Sequence, residues 1–252
     1  MPPSPLQLDA LIPRSPSALL YVLAYLVGTA AFALMARRRG MATGGVWSLA
    51  VVALLGGLVG ANLAQLLATG SPGKSVLGGV AGGYLSVFLY KRAIGLRRPT
   101  GDLFAVALMA GESVGRWGCY VGGCCFGRLA PDGVSRYPAQ LFLSAACAAI
   151  LAVLVAAERR RVLPENGLFF LQGTLYAAAR FVIEFYRTAD PVALGLTAAQ
   201  WGCLAALLFF GAVLYRLARR SKTAEAVAPQ QAVPAACARG RSAFRVPGDA
   251  LG

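Results

Sequence analysis

Seven runs of predominantly apolar residues, near 17–36, 45–68, 76–92, 103–125, 138–157, 167–186 and 198–218, dominate this 252-residue chain. A helix needs about 20 such residues to cross the hydrocarbon core of a bilayer. In lipid, only helices and closed barrels satisfy every backbone polar group. The pattern therefore predicts an all-α fold, a polytopic membrane protein of seven transmembrane helices. Composition agrees, since 13% of the residues are charged, about half the ~25% usual in a soluble domain. The third run is short and glycine-rich and the fourth is interrupted by glycines, so their limits are the least defined. No small-residue cleavage motif separates the first run from the second, and the first is read as a permanent helix rather than a removed signal peptide.

The formal charge of +14 would suit a nucleic-acid partner, but the placement of the basic residues excludes one. They cluster directly after apolar runs: Arg37, Arg38 and Arg39 after the first, Lys91, Arg92, Arg97 and Arg98 after the third, Arg159, Arg160 and Arg161 after the fifth, and Arg216, Arg219, Arg220 and Lys222 after the seventh. The opposite side holds only Arg14, Lys74, Arg128, Arg136 and Arg187. By the positive-inside rule the N-terminus lies outside and the C-terminus in the cytoplasm. Three parts follow: an outer segment 1–16, a membrane domain 17–218 and a tail 219–252. The tail is rich in Ala, Pro and Gln without an apolar stripe, and reads as disordered. Gly56 and Gly60 in the second helix, and Gly78, Gly79, Gly82 and Gly83 in the third, recur four apart, the spacing at which helix backbones approach closely in lipid.

An ionisable side chain at the bilayer centre costs at least ~2.5–3.5 kcal/mol on insertion scales. Four such residues stand out: Glu112 and Arg116 in the fourth helix, Arg180 and Glu184 in the sixth. Each pair is spaced i, i+4 and shares a helical face. Two self-neutralising ion pairs that hold helices together are one reading. Depth supplies the other. At 1.5 Å rise per residue these charges fall in the outer half of the membrane, where Arg128, Arg136, Arg187 and Lys74 join them. Arginine's planar fork suits phosphate, and a lipid headgroup is the nearest phosphate.

The stretch "GRWGCYVGGCCFGR", residues 115–128, sits at that depth. Its glycines, Gly115, Gly118, Gly122, Gly123 and Gly127, are expected to weaken the fourth helix and permit a break, tolerated where backbone lines a cavity. Its cysteines, Cys119, Cys124 and Cys125, lie near the outer, oxidising face. They read as small apolar filler, as one structural disulfide, or as the redox centre of a membrane thiol–disulfide enzyme. Zinc is disfavoured, because the chain has no histidine and the motif shows no fourth ligand.

That stretch, with "YPAQLF", "GTLYAAARFVIEFYR" and "LGLTAAQ" in the same order, resembles the bacterial prolipoprotein diacylglyceryl transferases over roughly residues 17–218. The resemblance implies the seven-helix, N-outside topology of a multi-pass protein of the bacterial cytoplasmic membrane. It implies transfer of the diacylglyceryl group of phosphatidylglycerol to the lipobox cysteine of a prolipoprotein signal peptide, with a thioether formed and glycerol phosphate released on the outer face. By position, Arg116 and Gly127 match the family's signature, and Arg180, Glu184 and Arg187 its R-F-x-x-E-F-x-R segment. Tyr21 matches a first-helix tyrosine, and Gln140 the glutamine of its H-P-x-Q motif.

The chain departs from the family where Leu77 and Tyr137 replace histidines, Cys119 an asparagine, Cys124 the signature glutamate, and Asn62 an arginine. In the implied chemistry Arg180, Glu184, Arg116 and Tyr21 are catalytic, with Arg180 and Arg116 stabilising the phosphate as it leaves. Arg187, Gly127, Gln140, Tyr137, Cys119 and Cys124 bind substrate, and no metal or other cofactor is expected. The base for the incoming thiol stays open between Glu184, Glu112 and Tyr137. A non-catalytic, anionic-lipid-binding relative is the remaining alternative.

Overall fold

A computed structural model of the chain describes residues 15–71 and 76–227. Arg14, Lys74, Cys237, the segment 1–14 and the tail from 228 lie outside them, as do the side chains of Leu77 and Lys222. Among the described residues the chain forms seven helices: α1 Pro16–Arg38, α2 Gly44–Thr69, α3 Val76–Ala93, α4 Gly101–Val121, α5 Ala139–Arg160, α6 Gly167–Glu184 and α7 Ala198–Val227. Four of them, α1, α2, α5 and α7, are long and apolar enough to cross a membrane. Of the other three, α3 is glycine-rich, α4 carries Asp102, Glu112 and Arg116, and α6 carries Arg180 and Glu184. The seventh helix continues to Val227, past the end expected near 218.

Helix ends follow from local chemistry. The Ser15 side chain accepts from the Ala18 amide at 3.3 Å, with Pro16 at the first position of α1, where its missing N–H costs nothing. A short hairpin, absent from the all-α expectation, joins α6 to α7 through β1 Pro191–Ala193 and β2 Leu196–Thr197. Its turn residues Leu194 and Gly195 both have positive φ, 50° and 72°, which matches the right-handed twist of paired strands. The "LGLTAAQ" segment then closes a capping box: Thr197 N donates to Gln200 Oε1 at 2.9 Å and Gln200 N to Thr197 Oγ1 at 3.2 Å, two amide donors satisfied reciprocally at the start of α7.

The helices associate in pairs, α2 on α3, α1 on α4 and α6 on α7, with α5 against α4 and α6. Small residues set the pairing. A Cβ on Gly60 would run into Gly78 and Gly82, and one on Gly56 into Gly82 and Ser86, so the α2 and α3 backbones touch. Gly28 of α1 faces Gly111 of α4, and Gly118 lies beneath the Tyr21 ring. The α4 glycines Gly111, Gly115 and Gly118 thus receive α1 inside an unbroken helix. The expected break falls later, after Val121, at Gly122 and Gly123.

One end of the bundle is the better buried. Phe32, Leu49, Leu103, Leu154 and Leu168 are all fully buried there. A polar clamp closes that end. Arg39, just beyond α1, donates Nε to Glu158 Oε1 at 3.0 Å, Nη2 to Glu158 Oε2 at 2.5 Å and Nη1 to Asp102 Oδ2 at 2.7 Å. Asp102 also accepts from the backbone amides of Asn166 (2.9 Å) and Phe169 (3.0 Å), and Asn166 Oδ1 accepts from Gly101 N at 3.0 Å. An aspartate on α4 thereby caps α6, where an anion near the helix N-terminus is favoured. The ends of α1 and α5 and the starts of α4 and α6 meet at this clamp, so the charged later portions of α4 and α6 lie at the other end.

Candidate active site between the fourth and sixth helices

On α6, Tyr176, Arg180 and Glu184 follow one another at i, i+4 and share a face. Glu184 is buried, 4% exposed, and its Oε2 lies 2.8 Å from Arg180 Nη2 and 3.5 Å from Arg187 Nε. The pairing is one of charge rather than alignment, since that oxygen makes no hydrogen bond among the described residues. Arg180 Nη1 is likewise buried without a partner there. A buried donor left unmet carries its full desolvation cost, so this guanidinium has unused capacity for an anion.

On α4, Arg116 is paired with Glu112 through Nη2 and through Nε, which donates to Oε1 at 3.0 Å. The Tyr176 hydroxyl donates to the same carboxylate oxygen across the helix interface at 3.4 Å. Tyr176 thus touches the Glu112–Arg116 pair across the interface and stands one turn before Arg180 on its own helix. Each arginine is neutralised at rest by its own glutamate, and an incoming phosphate would share or displace that partner. The two open hollows described on the molecule lie elsewhere, one along α5 between Ala148 and Arg160 (about 560 Å³) and one on α2 around Leu58 and Asn62. Neither includes Arg116 or Arg180.

One turn beyond Arg116, the Tyr21 hydroxyl of α1 donates to Cys119 Sγ at 3.3 Å. The chain then reverses at Gly123 (φ 70°) and Cys125 (φ 64°), the second a conformation that L residues with a side chain rarely hold. The reversal carries Cys124 and Cys125 back to Cys119, so that the three sulfurs lie within 4.8 Å of one another. Cys124 Sγ is 3.5 Å from Cys125 Sγ and 3.5 Å from the Cys119 carbonyl oxygen. All five described cysteines are free thiols, so the structural disulfide, one of the three readings of this trio, is not formed. Burial, reinforced by the Cys125 and Cys119 thiols, pushes Cys124 up to about 11.

Gly127, Tyr137 and Gln140 hold this loop in place. Gln140 is buried and its Nε2 donates to the Cys124 carbonyl at 2.5 Å. Gly127 N donates to Tyr137 O at 2.8 Å, Tyr137 N to Arg128 O at 3.1 Å and Arg128 N to Tyr186 O at 2.9 Å. A Cβ at Gly127 would collide with the Tyr186 carbonyl, so only glycine fits this crossing. The Tyr137 ring packs edge-on against Tyr186 at 5.2 Å, with the Arg128 guanidinium 5.9 Å above it. The loop is in this way fastened both to the turn just after α6, at Tyr186 next to Arg187, and to the start of α5.

Sequence reading brought Arg116, Arg180, Glu184, Arg187, Tyr21 and Cys119 to notice, and they lie around α4 and α6 as described. Asn62 stands apart, its Nδ2 bonded to Leu58 O of its own helix at 2.8 Å. Reading missed Tyr176, whose signal was its place four residues before Arg180. It also missed the clamp, where Arg39 was assigned only to orientation. Ser144 is a further tie, donating to Ser113 O at 2.5 Å between α5 and α4.

Comparison with known proteins adds the following. Residues 17–216 match the family described as prolipoprotein diacylglyceryl transferase. A protein of Azoarcus named phosphatidylglycerol–prolipoprotein diacylglyceryl transferase is 30% identical over 225 residues, covering 74% of this chain and 84% of the relative. One of the same name from Geobacter sulfurreducens is 28% identical, over 78% of this chain and 83% of the relative. A third, from Dehalococcoides mccartyi, is 30% identical over 60% of this chain, and the match spans 64% of that relative's length.

Proposed function

The chain belongs to the prolipoprotein diacylglyceryl transferase family, and from that membership we propose that it moves the diacylglyceryl group of phosphatidylglycerol onto the lipobox cysteine of a prolipoprotein at the outer face of the bacterial cytoplasmic membrane. In this reading all seven helices cross the bilayer, with the N-terminus outside and the C-terminus cytoplasmic. The basic last turns of α1, α3 and α5 support that orientation under the positive-inside rule. The clamp end is then cytoplasmic and the arginine-bearing end faces outward.

The observation that carries the reading is the Tyr176 link, one turn before Arg180 and bonded to the glutamate that pairs with Arg116, together with a buried Arg180 donor that has no partner among the described residues. The lipid phosphate binds between the two guanidinium groups. The acceptor sulfur attacks the glycerol carbon that bears the phosphate, an S–C bond forms and the C–O bond breaks. The bonding pair departs with glycerol phosphate, whose added charge Arg180 and Arg116 stabilise in a poorly hydrated site. Glu112, bonded in turn by Tyr176, holds Arg116 in place, while Glu184, which Arg187 also approaches, does so for Arg180.

Complementation tests the reading. A bacterium depleted of its own diacylglyceryl transferase is expected to recover lipoprotein maturation with the wild-type chain and not with Arg180→Ala. Recovery with both, or with neither while the proteins reach the membrane in equal amounts, rejects it.

A further inference from the structure

The three thiols at the turn after α4 have no part in the phosphate chemistry above. We propose that Cys119, Cys124 and Cys125 form a three-sulfur zinc site whose fourth position takes the sulfur of the incoming protein cysteine. The binding of metal stands on the geometry alone, whereas the use of the fourth position rests on the transferase reading.

Tetrahedral zinc with Zn–S bonds of about 2.3 Å holds its sulfurs about 3.8 Å apart. The sulfurs here stand at 3.5 Å for Cys124 and Cys125, and within 4.8 Å for every pair. Small rotations therefore reach ligand geometry. The loop is built for the convergence. Cys125 holds a left-handed backbone (φ 64°) beside left-handed Gly123, which turns two consecutive side chains toward one point. The buried Gln140 amide grips the Cys124 carbonyl at 2.5 Å. The Tyr21 hydroxyl donates to Cys119 Sγ, the kind of outer hydrogen bond that orients and tunes a ligating sulfur.

Zinc sites that catalyse keep three protein ligands and one open position, and zinc deprotonates a coordinating thiol outright. The sequence expectation of no metal rested on the absence of histidine and on a missing fourth ligand; three thiolates need no histidine, and here the fourth ligand is the substrate. In a chain without histidine, the metal takes over the work of the base. The acceptor S–H gives its proton to solvent or a nearby carboxylate as the Zn–S bond forms. That sulfur then forms its bond to the glycerol carbon as the C–O bond to phosphate breaks, and zinc returns to three sulfurs unchanged in charge.

The full chain, purified in detergent and kept reduced, is loaded with zinc or with cobalt as a spectroscopic stand-in. The expected result is one metal per chain, a near-ultraviolet thiolate-to-cobalt band, and three sulfurs at about 2.3 Å by X-ray absorption of the zinc form. Cys119→Ser, Cys124→Ser and Cys125→Ser should each weaken binding at least tenfold, while Cys203→Ser, buried in the second turn of α7, should not. A synthetic signal peptide with its lipobox cysteine should shift the cobalt spectrum, and the serine peptide should not. Equal metal in the triple serine variant, substoichiometric metal in the wild type, or a disulfide among the three found by mass spectrometry overturns the site. If metal binds as described but the wild type lipidates no prolipoprotein, the site stands and the transferase reading falls. If lipidation is undiminished in metal-free protein, the catalytic use of zinc falls and the transferase reading stands.

Discussion

The Tyr176 hydroxyl donates to Glu112 Oε1 at 3.4 Å, and this contact joins the face of α6 that carries Arg180 to the face of α4 that carries Arg116. Two helices that each neutralise their own charge are tied together through a single phenol.

Tyr176→Phe removes that contact while keeping the ring. A single neutral hydrogen bond contributes about 0.5–1.5 kcal/mol, so the variant folds and melts within a few degrees of the wild type. Loosening Arg116 relative to Arg180 costs positioning, and diacylglyceryl transfer is expected to slow about tenfold. An unchanged rate in a proteoliposome assay contradicts the link.

Gly127→Ala places a Cβ against the Tyr186 carbonyl and the Tyr137 side chain. Overpacking of this kind costs roughly 1–3 kcal/mol. A lowered thermal midpoint in detergent, with faster proteolysis between 122 and 138, is the expected outcome. A midpoint equal to the wild type means that the loop has room.

Asp102→Ala takes the carboxylate partner from Arg39 Nη1 and from the amides of Asn166 and Phe169, leaving Arg39 held by Glu158 alone. Breaking a mostly buried charged network by removing one partner costs about 3–5 kcal/mol. Thermal unfolding in detergent should show the largest loss of any variant named here, although Asp102 lies at the far end of the bundle from the arginine pairs. A loss below about 1 kcal/mol would mean the clamp is ornamental to stability.

In metal-free protein, Cys124 titrates near 11 because burial and its thiol neighbours disfavour the thiolate. Only the thiolate alkylates. Its modification by iodoacetamide should therefore keep rising roughly tenfold per pH unit up to about pH 10, where a free cysteine of pKa ~8.5 has already levelled off. Peptide-mapped alkylation rates between pH 7 and 11 check this, and a plateau at pH 9 contradicts it.

Helix positions were legible because apolar runs of bilayer length have few alternatives, and the α2–α3 contact because Gly56, Gly60, Gly78 and Gly82 repeat at helical spacing. Gly115 and Gly118 misled, since glycine both breaks helices and admits neighbours. Their second use depends on α1 lying opposite, which no local pattern encodes. Arg39 read as an orientation charge because its partners are 63 and 119 residues away. The thiol cluster was legible only as an open choice between filler, a disulfide and a redox centre, for a related reason. Positions 119 and 124 do not share a helical face, and only the left-handed turn at Gly123 and Cys125 unites them.

Phospholipid binding to Arg180 variants tests the central claim most directly. Wild type, Arg180→Ala and Arg180→Lys are compared in nanodiscs for phosphatidylglycerol over phosphatidylcholine by native mass spectrometry. A buried charge-assisted hydrogen bond is worth about 1.5–3 kcal/mol, so Arg180→Ala should lose roughly ten- to hundredfold in preference, with partial recovery in Arg180→Lys. A preference for the anionic lipid equal in all three proteins would contradict a guanidinium grip on the headgroup phosphate.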